Sequence, residues 1–170
     1  KPQCPIPTAG SVMLINDCIL YNEIAVKGEL NVTGKEYNYT TIRGGGENRH
    51  FLIDSGSPTL TLRWLNLTGG VSAGFEPHYA SGNAGGSIHV KRNCDVFIVH
   101  CVFHKNKADY TGGAIAISTN GAFVSMDHTI FVGNWNKLYG GAIFSRSILR
   151  AINTDFDGNV AGKRGGALAV

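Results

Sequence analysis

The side chains that could do acid–base or metal chemistry in this 170-residue chain fall into small groups: Asp127, Asp155 and Asp157; His100 and His128; and Cys4, Cys18, Cys94 and Cys101. Hydrolysis of a glycosidic bond needs two carboxyl groups roughly 5–9.5 Å apart across the bond. The three aspartates meet that demand only if the chain winds so that distant segments lie side by side. A lyase would want a basic residue beside acidic metal ligands, and no such group gathers along the sequence. Two imidazoles without a third ligand make a poor metal site. The cysteine spacing fits no zinc pattern, and no cofactor is expected.

Cys94 and Cys101 are separated by Asp95-Val-Phe-Ile-Val-His100. On one extended strand, at ~3.3 Å per residue, their sulfurs are too far apart to pair. Cys4 and Cys18 flank an irregular N-terminal segment and could pair there, while the sequence leaves all three connectivities open. Asn31-Val-Thr33, Asn38-Tyr-Thr40 and Asn66-Leu-Thr68 are acceptor triplets for N-glycosylation if the protein is secreted by a eukaryote.

Composition narrows the field. Fifteen Lys and Arg against twelve Asp and Glu give a net charge of +3, spread without a run. That balance excludes a polybasic nucleic-acid arm and an acidic disordered tail. Glycine, at 23 of 170 residues, is about twice its usual share, yet no G-X-Y triplet repeats and proline is sparse. No apolar stretch approaches the ~18 residues that span a bilayer. The chain opens at Lys1 without a charged-then-apolar leader, which reads as a processed form or a fragment.

The elements that must position these groups come from an internal repeat. Gly85-Gly-Ser-Ile-His-Val90, Gly112-Gly-Ala-Ile-Ala-Ile117, Gly140-Gly-Ala-Ile-Phe-Ser145 and Gly165-Gly-Ala-Leu-Ala-Val170 start 27, 28 and 25 residues apart. Between them run Phe103 to Asn106, Phe131 to Asn134 and Phe156 to Asn159, and each Asn stands six residues before the next Gly-Gly. Side-chain alternation inside each unit has a period of two, and no window holds an amphipathic helix. Short strands, repeats of this length and glycine corners predict an all-β chain: a right-handed parallel β-helix of about five to six coils. Each strand then pairs with its equivalent ~4.8 Å away. In the N-terminal half, 29–33, 41–46, 50–53 and 59–67 read as strands. Residues 1–23 are expected to form an irregular cap, 24–170 the β-helix, and 69–84 a loop thrown off its side.

Gly-Gly-Ala-Ile together with Phe-x-x-Asn resembles the repeat of the chlamydial polymorphic outer-membrane proteins, whose passenger domains are pectin-lyase-like right-handed β-helices. The paired motif covers residues 85–170, with Ser87 in place of Ala in the first unit, and residues 24–67 look like opening coils of such proteins. The resemblance implies a surface or adhesive role and carries no chemistry. Asn153-Thr-Asp155 is similar to one short motif of polygalacturonases, but the companion Asp-Asp, Gly-His-Gly and Arg-Ile-Lys motifs are missing. Asn153 also falls at the repeat position of His100 and His128, as a variant of one structural site.

On this architecture Asn106, Asn134 and Asn159 are expected to stack at one corner, bonded from coil to coil, with Phe103, Phe131 and Phe156 stacked beside them. The turn between each Asn and the next Gly-Gly holds Trp135 and Tyr139, with Tyr110 one unit earlier, and the same turn column holds Lys105, Lys107, Lys137, Lys163 and Arg164. If stacked, these would offer an aromatic and basic surface to glycans or acidic polymers. The final strand, 165–170, presents a sheet edge that invites strand addition. The sequence therefore points to a non-catalytic extracellular or cell-surface module, structural or adhesive and glycosylated, that stacks end to end into a fibre. The alternatives are a glycan-binding surface protein and a carbohydrate-active enzyme.

Overall fold

The computed structural model of the chain describes residues 1–73 and 83–170. Among them the backbone makes short strands and no helix, and every strand pairing is parallel. Strands are numbered along the chain. One sheet stacks β1 (Gly10–Met13), β4 (Leu30–Thr33), β7 (Thr59–Arg63), β11 (Asp95–Val99), β15 (Phe123–Asp127) and β19 (Ile148–Ile152). A second stacks β2 (Cys18–Leu20), β5 (Thr40–Gly44), β8 (Leu65–Thr68), β12 (Val102–His104), β16 (Ile130–Val132) and β20 (Asp155–Asp157). The third stacks β3 (Ile24–Ala25), β6 (Phe51–Ile53), β10 (Ile88–Val90), β14 (Ile115–Ile117), β18 (Ile143–Ser145) and β22 (Leu168–Ala169). A narrow fourth sheet joins β9 (Val71–Ser72), β13 (Lys107–Ala108), β17 (Trp135–Asn136) and β21 (Val160–Ala161). Because neighbours in each sheet come from successive repeats, the chain is a parallel β-solenoid.

The two-residue period of each strand sends alternate side chains inward, and the register lines them up. Leu30, Leu60, Val96, Val124 and Leu149 form one inward column. Phe51, Ile88, Ile115 and Ile143 form another. Nearly all are fully buried, and together they fill the interior between the three long sheets. Partners in these columns are about one repeat apart in sequence, so the core is built almost wholly from contacts between coils.

The paired glycines have two separate reasons. Gly112 sits at φ 61°, and a Cβ there would run into the carbonyl oxygen of Ile115. Gly113 has an ordinary φ, but its Cβ would run into the carbonyl of Gly141 in the next coil. One glycine turns the chain and the other lets two turns touch.

Three expectations need correction. Residues 1–23 are not an irregular cap throughout, because β1 and β2 are already in register with β4 and β5. The segment before Gly10 carries no strand of its own, but Gln3 already bridges Ile19 in parallel. There Pro2 and Cys4 bond to Ile19, and Cys4 is disulfide-bonded to Cys18. The expected strand 59–67 is broken at Trp64, whose φ of 55° turns the corner between β7 and β8. Of the expected loop 69–84, Val71–Ser72 is strand, paired with Lys107 and Ala108, and residues 74–82 lie outside the described residues.

Gly113→Ala is expected to cost about 3 kcal/mol or more, since a backbone carbonyl must move. Gly133→Ala should cost about 1–2 kcal/mol, because only its left-handed backbone is strained and its added carbon meets nothing closer than Lys105 Cγ at 3.8 Å. Denaturant unfolding of both variants measures the difference. Equal costs would remove the close-contact explanation.

Candidate functional site

The asparagine corner is a hydrogen-bonded column. Asn134 Nδ2 donates to the Phe103 carbonyl at 2.9 Å and to Asn159 Oδ1 at 2.9 Å. Its Oδ1 accepts from the backbone N–H and the Nδ2 of Asn106 at 3.0 and 3.1 Å. Asn106 repeats the pattern one coil earlier, donating to the Leu67 carbonyl and accepting from the N–H of Gly70. Asn159 donates to the Phe131 carbonyl at 2.8 Å. Each amide satisfies backbone groups of the buried corner on both sides. Beside it Phe103 and Phe131 stack at 4.8 Å with planes 6° apart, and Phe131 and Phe156 at 5.1 Å and 10°. This column leaves no free amide at Asn106 or Asn134 to hold an ion or a sugar.

A second column lies at the corner between the first and second sheets. Trp64, His100, His128 and Asn153 all have φ between 46° and 55° and occupy equivalent corners. Trp64 and His100 stack at 4.0 Å with planes 6° apart, and His100 and His128 lie 4.8 Å apart. Asp127 Oδ1 accepts from His128 Nδ1 at 2.9 Å and from Asn153 Nδ2 at 3.2 Å. The carboxylate thus ties the two polar ends of the column together. Asp155 and Asp157 are exposed on β20, where they pair in register with Ile130 and Val132. Among the described residues no group of three His, Cys, Asp or Glu could hold a metal ion.

Sequence reasoning missed Trp64 and its neighbours Tyr37 and Tyr39, whose rings lie 5.1 and 5.8 Å from the indole. The signal was available: Arg63-Trp64-Leu65 aligns with Val99-His100-Cys101 once the Gly-Gly register is extended backwards.

Trp135, Lys137 and Tyr139 lie in the turn after Asn134, and Lys163 and Arg164 in the turn after Asn159, without forming one column. Trp135 stands opposite Lys107, whose ammonium sits 4.9 Å from the indole centroid. Tyr139 lies between Thr111 and Arg164. Lys137 bonds to the Ala108 carbonyl through its backbone, and Lys163 to that of Leu138. The basic residues therefore alternate with aromatic and neutral ones instead of forming a continuous ridge.

Buried polar groups form a network across four coils. Arg49 pairs with Glu23 at 2.9 Å and donates to His89 Nδ1 at 2.7 Å. A guanidinium cannot accept a hydrogen bond, so His89 is neutral at Nδ1 and Nε2–H donates to Ser118 at 3.0 Å. Burial, with the nearby positive charges of Arg49 and Lys91, pushes His89 down to about 3. Burial pushes His50 down to about 4, against the pull of the Thr68 and Ile42 carbonyls. Its Nδ1 lies 2.9 Å from Ser87 Oγ.

Of the cysteines, Cys4 and Cys18 are bonded, while Cys94 and Cys101 are free and buried, their thiols raised to about 12 chiefly by burial. They are core packing. Asn38 is exposed in a turn; Asn31 Nδ2 donates to Ser11 and Glu29, and Asn66 lies within β8 with its Oδ1 buried.

Asn134→Ala is expected to lower stability by ~1–3 kcal/mol through stranded partners in two coils, read by thermal unfolding; an unchanged transition would refute the column. His50 and His89 hold fewer protons folded than unfolded, where they titrate near about 6.5. Their contribution is intact above that pH and is lost as pH falls towards 4. Stability should therefore drop between pH 6.5 and 4, with a shallower slope in His50→Asn; an equal slope would show that His50 is not buried neutral.

No family model, no curated protein and no solved structure matches the chain. What stands on the geometry is its architecture, a parallel β-solenoid with repeated polar and aromatic columns.

Proposed function

We propose that the chain is a non-catalytic structural or adhesive module of the extracellular or cell-surface kind, akin to the chlamydial repeat proteins that its Gly-Gly-Ala-Ile and Phe-x-x-Asn motifs resemble. The observation that carries this reading is the engagement of the repeated polar side chains by the stack itself. Asn106 and Asn134 are fully buried and bonded between coils, and Asp127 is held by His128 and Asn153. A hydrolase needs carboxyl groups converging on a bond from opposite sides, whereas these columns run parallel to the axis.

The Cys4–Cys18 bond supports an oxidising compartment, where such bonds persist. Self-association is the second part of the proposal. Leu149 and Phe156 are only partly buried and Leu168 is 40 % exposed, and a further coil of the same pattern, from this chain or by strand addition from a second copy, would cover them. Sedimentation velocity across a hundredfold concentration range, with electron microscopy, is expected to show axial assemblies; a monodisperse monomer throughout would defeat that part. Incubation with polygalacturonate, alginate and xylan is expected to release no oligosaccharides. Their appearance, with loss of release in Asp127→Asn or Asp155→Asn, would overturn the non-catalytic reading.

A further inference from the structure

The first-to-second-sheet corner is built from a few residues in every later coil: Trp64 in one, His100 and Cys101 in the next, then His128 and Thr129, then Asn153 and Thr154. In the second coil the same corner carries an insertion. The chain leaves register at Gly34, whose N–H bonds to the Arg63 carbonyl, and returns at Thr40, whose N–H bonds to that of Trp64. Residues 35–39, Lys-Glu-Tyr-Asn-Tyr, project between them. Insertions into a repeat collect on one face of a solenoid, often the face that binds.

This insertion is strained and aromatic. Tyr37 adopts φ 59°, a left-handed conformation that bulky side chains avoid, and its ring is 82 % exposed. Unlike the other left-handed non-glycine residues before the second sheet, it belongs to no column. The ring leans on Trp64 at 5.1 Å, and the opposite side of the indole is stacked on His100. Trp64 is thus fixed from both sides, and Tyr37 is the open ring of the cluster.

Beside the cluster lies a cleft of about 560 Å³, lined by Asn16, Asp17, Lys35, Asn38, Tyr39 and Thr41 among others. Asp17 is held in place, one oxygen accepting from the N–H of Thr41 and the other from Lys1, each at 2.8 Å. Its fixed carboxylate, two amides, a hydroxyl and an ammonium offer donors and acceptors at several angles. Tyr37 and the 60 % exposed Ile15 supply apolar surface at hand. Hydroxyl-binding side chains next to an aromatic ring are what a pyranose requires, with its polar edge and its apolar face.

We propose that residues 35–39, Trp64 and the adjoining cleft form a saccharide-binding site, with Tyr37 as the platform for one sugar ring. The proposal deepens the adhesive part of the function above and rests on it. The sugar has two possible sources: a separate glycan, or a glycan carried by Asn38 itself, which is exposed within the insertion and heads the triplet Asn38-Tyr39-Thr40.

The test uses the full chain with its disulfide formed and without N-glycans, titrated with N,N′-diacetylchitobiose, cellotriose and mannotriose while backbone amide shifts are followed. At least one probe should shift residues 15–17, 35–41 and Trp64. Tyr37→Asn, which keeps a residue at ease in the left-handed region, should weaken that binding by about tenfold or more, and Tyr37→Phe should retain it. Both variants should unfold at the parent temperature, because the ring is exposed. No shift with any probe, or equal binding by Tyr37→Asn, overturns the proposal. The same titration on chain secreted from a eukaryotic host separates the sources. A glycan at Asn38 that blocks the probe assigns the site to the protein's own sugar, and retained binding assigns it to a separate one. Probe that is neither bound nor cleaved sinks this inference alone, while cleaved probe sinks the non-catalytic reading beneath it.

Discussion

Every coil of this protein is held at the spacing of parallel β-pairing, ~4.8 Å from the coil before it. At that distance each side chain lies directly against its equivalent in the neighbouring repeat. A position must therefore be compatible with itself, stacked along the axis. Apolar positions satisfy this as Leu–Leu–Val–Val or Ile–Ile–Ile columns, and Phe103, Phe131 and Phe156 satisfy it face to face. Polar groups at buried corners must find partners along the same direction. Asparagine, with a donor and an acceptor on one planar amide, can bond to coils on both sides.

The same constraint shapes what the surface can do. Columns distribute like groups along a line instead of gathering unlike groups around a point. His128 meets Asp127, which also accepts from Asn153, but the ring stacked beside His128 is His100, another imidazole of the same column. The turn with Trp135 and Lys107 forms an ammonium–indole pair by the same logic, one residue over its equivalent. A convergent site needs a departure from the period, and the insertion at residues 35–39 is such a departure among the described residues. There Tyr37 and Tyr39 approach Trp64 from outside the column.

Legibility in the sequence follows from how strictly each position is constrained. At residues 85–86, 112–113 and 140–141 the Gly-Gly pair cannot be replaced without moving backbone, because added carbons would strike it, as at Gly112 and Gly113. The period is therefore written in the residues themselves, and the coils and the Asn and Phe positions can be aligned by eye. In the first three coils the corners tolerate other solutions. Trp64 turns one with a single residue, so it reads as mid-strand, and β1 and β2 look irregular because prolines and a cysteine precede them. The network from Glu23 through Arg49 and His89 to Ser118 was not legible, since its members are far apart in sequence and meet only once the register is known. Tyr37 was hidden for the opposite reason: it stands where there is no repeat to compare it with.

The first coil is built differently from those that follow. At the first coil, Pro2 and Cys4 occupy the edge of β2 by bonding to Ile19, while Pro5 and Pro7 offer no N–H to an incoming strand. Cys4 is held there by its bond to Cys18. The edge of β1 is more open, with Gly10, Ser11 and Met13 exposed. Any strand that pairs with β2 on this side must displace residues 2–4 from Ile19, and the disulfide resists that movement.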